Sequence, residues 1–453
     1  MRHTSSPLLL FVILVVDIVA GCGPERPAAL EPVKIGTIGS TSGALATFGS
    51  ALQDAIVLAG ENVNAAGGVF GGRPLELVVV DSASDATTAR QRANELVEAG
   101  VVAIVGPETS GQSEQVLSIA TNAKIPMVSC CATSTSLSAS SGANDSFFFR
   151  TAPSDALQGQ ALAYVALEGV KEGGVDIAAC PQAAFFSRGD SYGDGFKSVF
   201  TSSYQDKPVG AVRSAIIAQG EFTNDAPAPD EISTAARSFA ASILDAADPL
   251  EEVCVVFITF GAEGGRLVKL VDDELAGSGL RYHYLTGDGA QEGAFINEML
   301  TAPPALLNKV VGTVPFHAVS AAYDEFAVAF NARHGTPPPS YSAQAFDAMF
   351  ITALAVAKAG STDGTAIRNA LFSVSGREGG RRFDNGNFFG EIAASILDGD
   401  DVDYVGPSGD LTFDAFGDVQ GDYVLWRLET DDAGGLSFVD KVPLAVADFV
   451  RSR

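Results

Sequence analysis

From residue 33 onward, short apolar runs alternate with segments of helical spacing, and that rhythm leaves few folds open. Residues 33–38 read as a strand that ends at the turn-rich Gly39-Ser40-Thr41-Ser42-Gly43. A helix follows, with Leu52, Ile56, Ala59 and Val63 at spacings of three and four. Asn64-Ala65-Ala66-Gly67-Gly68 stops it, and Gly71-Gly72-Arg73-Pro74 turns the chain. Residues 75–80, 101–105 and 125–129 give three more strands, with helices over 87–99 and 113–122 between them. These strands are apolar almost throughout rather than on alternate residues. Both of their faces need cover, which is the condition of a parallel sheet between helices.

The rhythm restarts after Asp155: helix 157–167, strand 183–186, helix 192–203, strand 212–217, helix 235–246, strand 253–260 and helix 263–274. Two such sets make two lobes, and 453 residues exceed one ordinary domain. The late helical segments 323–334 and 342–359, parted by Thr336-Pro337-Pro338-Pro339, are expected to return to the first lobe.

The first residues call for separate treatment. Leu8 to Val16 is an unbroken apolar run behind Arg2 and His3, shorter than the roughly 20 residues a membrane-spanning helix needs. It leads into Val19-Ala20-Gly21-Cys22, which is similar to the lipobox of bacterial lipoproteins, where the cysteine is acylated and becomes the mature N-terminus. Residues 1–21 are therefore expected to be a lipoprotein signal peptide and 22–32 a tether, with a plain secretory signal as the alternative. An exported protein on the periplasmic side of a bacterial membrane, lipid-anchored at Cys22, is the expectation. Export permits disulfides. Adjacent Cys130 and Cys131 are poorly placed to bond each other, which leaves Cys180 and Cys254 as the expected pair.

Several functions are excluded by what the chain lacks. With 28 Lys and Arg against 55 Asp and Glu, the net charge of −27 repels nucleic-acid phosphates, and no basic cluster opposes it. No C-x-x-C occurs and the four His are scattered, so no metal site is expected. Ser191-Tyr192-Gly193-Asp194-Gly195 lacks the third glycine of a dinucleotide fingerprint, and neither a phosphate-cradling loop nor a G-x-S-x-G elbow is found. The reading is of a protein that is not an enzyme and needs no cofactor.

Ligands of open parallel sheets sit beyond the carboxyl ends of the strands, where free N–H groups and helix dipoles favour anions. Gly106-Pro107-Glu108-Thr109-Ser110-Gly111 and Cys130-Cys131-Ala132-Thr133-Ser134 occupy such places. Helix capping is the competing role for Ser110 and Thr133.

The residues also resemble a known family. Ile35-Gly36, Gly43, Phe48-Gly49, the run Glu61 to Val69, Gly72-Arg73-Pro74-Leu75-Glu76-Leu77 and Asp81 are similar to the opening of leucine/isoleucine/valine-binding-type periplasmic proteins. Ile104-Val105-Gly106-Pro107 with Ser110, Ile125 to Ser129, Ala132-Thr133, Phe149 to Asp155 with Gln158-Gly159, Ser191-Tyr192-Gly193 and Phe346-Asp347-Ala348 continue the likeness. It implies an α/β type I periplasmic-binding fold of two doubly wound parallel-sheet lobes, joined by three crossing segments, with ligand in the interlobe cleft. Lobe 1 would be 33–152 plus 316–405, and lobe 2 would be 153–315 plus 406–453.

The resemblance further implies an amino-acid-like ligand. Ser110 and Thr133 would bind its carboxylate, helped by backbone near Cys131, and Asp288 would meet its ammonium. Phe48 and Tyr192 would be aromatic walls, with ordinary core packing as their other reading. A further second-lobe aromatic of the family is replaced by small residues around Gly261-Ala262, a hydroxyl is missing at position 48, and residues 172–181 form an insertion. The implied function is a monomeric substrate-binding component of an ABC importer, docking on a membrane permease. A ligand-sensing lobe pair and an exported hydrolase are the alternatives.

Overall fold

The computed structural model describes residue 1 and residues 30–139, 145–222, 227–316, 320–376, 379–384 and 389–450. The signal peptide, Cys22 and most of the tether lie outside the described residues.

The first lobe is built on five parallel strands: β1 (Val33–Gly39), β2 (Leu75–Asp81), β3 (Ala103–Val105), β4 (Met127–Ser129) and β5 (Phe148–Arg150). They lie in the order β2-β1-β3-β4-β5. Residues of β1, β3, β4 and β5 are almost wholly buried, as their unbroken apolar character requires.

The second lobe holds β6 (Gln182–Ser187), β7 (Ala215–Glu221), β8 (Glu252–Ile258), β9 (Arg281–Thr286), β10 (Val310–Pro315), β11 (Tyr423–Thr430) and β12 (Leu436–Leu444). Their order is β7-β6-β8-β9-β10-β11-β12. The first five strands of this sheet pair parallel, as expected, and the sheet then gains an antiparallel edge. β11 pairs antiparallel with β10, and β12 antiparallel with β11. The chain re-enters this lobe late and needs only a hairpin, not a crossover helix, to extend the sheet edge.

The two late helices, Ala321–His334 and Ser342–Ala359, pack with the first lobe. Residues Ser342 to Ala357 are buried all round, and Thr151 Oγ1 donates to the Gln344 carbonyl at 2.7 Å. Asp347 on this helix accepts from the Tyr404 hydroxyl at 2.7 Å and from the Ser408 N–H at 2.8 Å. Those bonds keep the hairpin Val402–Gly406 and Gly409–Asp410 with lobe 1. The last crossing therefore falls after residue 410 rather than at 405, and there Val419 bridges Pro153 of the first crossing. Residues 172–181 contribute to a small hairpin of Val170–Glu172 and Val175–Ile177 on the second lobe.

Cys180 and Cys254 form a disulfide, with Cα atoms 5.6 Å apart, that ties the start of β6 to β8. Cys130 and Cys131 are also joined, which corrects the expectation that neighbouring cysteines would stay apart. Their Cα atoms are necessarily close at 3.8 Å, and the loop that ends β4 turns the two side chains toward each other.

Candidate ligand-binding cleft

The loops after β3 and β4 enter the cleft side by side. Thr109, not Ser110, caps the helix Ser110–Ala123, its Oγ1 accepting from the Gln112 N–H at 3.4 Å. Ser110 Oγ instead accepts from the Ser134 N–H at 3.1 Å and so ties the two loops together. Ser134 Oγ takes the Ser136 N–H in the next short helix, which frees Thr133 from capping. The Cys131 N–H is engaged by Ser129 Oγ at 3.3 Å. The Cys131 N–H is thus engaged within its own loop, while the resemblance implies assistance from backbone groups near it. The N–H of Thr133 has no acceptor among the described residues.

The second lobe answers with Asp288, in the turn after β9. Its Oδ1 accepts from the Tyr192 hydroxyl at 2.9 Å, and its Oδ2 from the Tyr341 hydroxyl at 2.5 Å. Tyr192 starts the helix Ser191–Tyr204, whose cap, Asp190, accepts the Gly193 N–H at 3.0 Å. Gly287 is required here, because a Cβ at that position would lie 2.7 Å from the Tyr192 hydroxyl. Tyr341 reaches Asp288 from the segment before Ser342–Ala359 and holds a left-handed φ of 68°. Such a backbone costs a bulky residue on the order of 1–3 kcal/mol, and sites of that kind cluster where ligands bind.

A second carboxylate lies beside the first. Asp155 opens the helix Asp155–Glu168 at the first crossing, and its N–H donates to the Thr133 carbonyl at 2.8 Å. The side chain is wholly buried, and neither oxygen meets a protein donor in hydrogen-bonding geometry. Burial, and then the neighbouring charge of Asp288, hold the Asp155 carboxyl well above its ordinary range. Burial raises Asp288 as well, against the two tyrosine hydroxyls that favour its ionised form. Two desolvated carboxyl groups thus act on each other, with Thr133 and the charge of Arg150 partly offsetting the rise at Asp155.

All six residues singled out from the sequence — Phe48, Ser110, Cys131, Thr133, Tyr192 and Asp288 — line one pocket of about 450 Å³, partly continuous with solvent. Phe48 is half-buried and meets Tyr341 edge-on with ring centres 6.3 Å apart. Four groups were missed by sequence reasoning: Asp155, Tyr341, Phe260 and Glu292. Phe260 corrects the expectation of small residues around Gly261-Ala262, for its ring stacks on Tyr192 at 5.5 Å and 6°. It stands one place earlier, at the end of the β8 run, where an apolar residue reads as strand. Asp155 carried a signal, as a lone carboxylate in the Thr151-Ala152-Pro153-Ser154-Asp155 crossing. Tyr341, after a proline run, carried none that spacing could reveal.

Groups from both lobes converge on this pocket, so a bound molecule would be held by the two halves at once. Fold and cleft together define a two-lobed solute-binding protein. The family model described as periplasmic binding protein matches residues 32–393, and the chain belongs to that family of exported binding proteins. It is 27% identical over 352 residues to Leu/Ile/Val-binding protein homolog 3 of Brucella melitensis, covering 75% of this chain and 82% of that one. The branched-chain amino acid transporter substrate-binding protein of Streptococcus pneumoniae, solved with isoleucine, superposes with a TM-score of 0.66 at 21% identity, covering 90% of this chain and all of that one. A solute-binding protein of an ABC transporter from Rhodopseudomonas palustris, solved with 3,4-dihydroxybenzoic acid, gives 0.64 at 18% identity, over 92% and 98% of the two chains.

Proposed function

We propose that the protein captures an amino acid, or a closely related small polar solute, between its lobes and presents it to the permease of an ABC importer. The observation that carries this reading is the arrangement of charge. Asp288 lines the pocket, its charge felt by the buried Asp155 carboxyl, while Ser110, Thr133 and a helix N-terminus offer donors from the facing loops. A zwitterion satisfies both ends: its ammonium lies between the carboxylates and its carboxylate on the donors. A simple carboxylic acid, such as the aromatic acid bound by the Rhodopseudomonas protein, would leave the two carboxyl groups unmatched. Importer delivery is supported by the relatives, which include a transporter substrate-binding protein. Acylation at Cys22 would tether the protein beside its permease.

A thermal-shift screen of the refolded, ligand-stripped protein against amino acids, amides and carboxylates tests the ligand class. A ligand at 100 times its Kd adds about 2.7 kcal/mol of stability, which moves Tm by several degrees. A response confined to carboxylic acids without an amino group would overturn the zwitterion reading. Loss of uptake of the identified ligand in a strain lacking the gene would support import. Unchanged uptake would refute it.

A further inference from the structure

A second cavity of about 970 Å³ adjoins the pocket, and the two share Leu45, Thr109, Phe260 and Glu292. The first pocket is lined by Glu108, Asp288 and Glu292 but by no Lys, Arg or His. Glu108 is already served by the Ser40 N–H at 2.9 Å and the Ser40 hydroxyl at 3.1 Å. Asp288 is held by its two tyrosines. Glu292 differs: one oxygen accepts the Gly261 N–H at 2.5 Å, and the other has no donor among the described residues.

The cations of the second chamber are hydrogen-bonded to other carboxylates, although the charge of Arg188 still favours the ionised form of Glu292. Arg188 is bound to Asp190 at 2.8 Å and Glu263 at 2.6 Å, and Arg266 to Glu298 at 2.7 Å. Arg188 also lies over the Phe260 ring at 4.4 Å, on the wall that separates it from Tyr192. A second observation is independent of the carboxylates. Gln112 lines the same chamber and is only 2% exposed. Its Nε2 donates to Ser40 Oγ at 3.2 Å, while its Oε1 is buried without a partner. Both unfilled positions are acceptors.

We propose that the bound amino acid is basic, its side-chain ammonium seated on Glu292 where the pocket opens into the second chamber. This rests on the amino-acid reading above and specifies its side chain. A branched aliphatic side chain would desolvate Glu292 and give nothing back, whereas an ammonium supplies three donors. Burial pushes the Glu292 carboxyl up to about 7, and a cation beside it returns it to the ionised form.

L-lysine and L-norleucine share a backbone and a nearly equal chain length and differ in the terminal ammonium, so titration calorimetry of the purified protein with both isolates the inference. At pH 8 lysine is expected to bind at least tenfold tighter than norleucine. Glu292→Gln is expected to remove most of that advantage, by weakening lysine and leaving norleucine as tight as before or tighter. Norleucine binding as well as lysine would overturn the inference while leaving the amino-acid reading intact. If no amino acid binds, the amino-acid reading itself falls. A lysine preference that survives Glu292→Gln, or equal weakening of both ligands by it, would show that Glu292 only holds the Gly261 turn.

Discussion

Replacing Asp288 by Asn separates holding the ligand from holding the fold. The amide keeps the shape of the carboxylate, so the pocket walls stay where they are. One oxygen still accepts from Tyr192 or Tyr341, and the other hydroxyl loses a hydrogen bond of about 1 kcal/mol. Against that loss, the substitution removes a buried carboxyl standing beside Asp155, both of them raised by burial. The two effects offset, so the ligand-free Tm at pH 8 should stay within a few degrees of wild type or rise. Binding goes the other way. A charge-assisted hydrogen bond in a desolvated site is worth about 1.5–3 kcal/mol, and its loss weakens the ligand by roughly 10- to 150-fold. Calorimetry with the best amino-acid ligand, beside a melt of the ligand-free variant, reads both numbers. Unchanged affinity refutes the ammonium contact. A large fall in Tm would mean that Asp288 is a structural group whose partners are the tyrosines alone.

The same carboxyl pair makes binding depend on pH. An ammonium between Asp155 and Asp288 draws both toward ionisation, so binding releases protons and affinity rises with pH. Titrations in buffers of different ionisation enthalpy should show the release, and identical heats would contradict it. Stability runs in the opposite direction. Burial raises Asp347 from its usual 3.8 to about 7, so its contribution is full below pH 4 and is lost as pH rises through 7. Wild type should melt higher at pH 5 than at pH 8, and Asp347→Asn should narrow that gap; a gap of unchanged size would remove Asp347 from the account. Changing Cys180 and Cys254 together to Ser opens a loop whose ends are 74 residues apart, worth up to about 4.5 kcal/mol in the chain-entropy model. Chemical denaturation with and without reductant should show that loss in wild type and, in the variant, only the smaller effect of opening Cys130–Cys131 that both proteins share.

The first lobe is legible because its strands are buried on both faces and its helices on one, so hydrophobic spacing reports each directly. The end of the chain is harder to read. β11 and β12 form an antiparallel edge hairpin whose outer strand is only half covered, and β12 carries Asp440 and Lys441 within it. No apolar run marks it. The site shows the same division. Ser110, Thr133 and Tyr192 follow strands that spacing places, and they stand at strand ends where ligands gather. Tyr341 enters through the left-handed turn after three prolines, and Phe260 ends an apolar strand without any mark to set it apart. Asp155 is hidden differently. A carboxylate at a helix start reads as a dipole partner in solvent, and only the packing of the crossing segments shows it to be wholly buried.

That burial bears on how the lobes close. A ligand shifts an open–closed equilibrium only through what it gains in one state over the other. Direct polar contacts across the cleft include the Tyr341 hydroxyl on Asp288 and the Ser134 hydroxyl on the Ser191 carbonyl at 2.8 Å. The hydroxyl–carbonyl bond is worth about 1 kcal/mol and the one to Asp288 about 1.5–3 kcal/mol when it is ionised, and closure without ligand must also desolvate Asp288 next to Asp155. The empty closed form therefore carries an electrostatic cost at the point where the first crossing enters lobe 2. On the proposed reading, the ligand's ammonium at Asp288 would remove that cost in the closed state and so favour closure. Arg150 keeps the opposing donors in register, being wholly buried and bonded to the Ala132 and Ser134 carbonyls at 3.1 and 2.9 Å and to Asp418 of the last crossing at 2.7 Å. Ligand charge, binding loop and crossing segments are thus joined through neighbouring atoms. On the proposed amino-acid reading, the ammonium end of the solute has more leverage on closure than the side chain that distinguishes one amino acid from another.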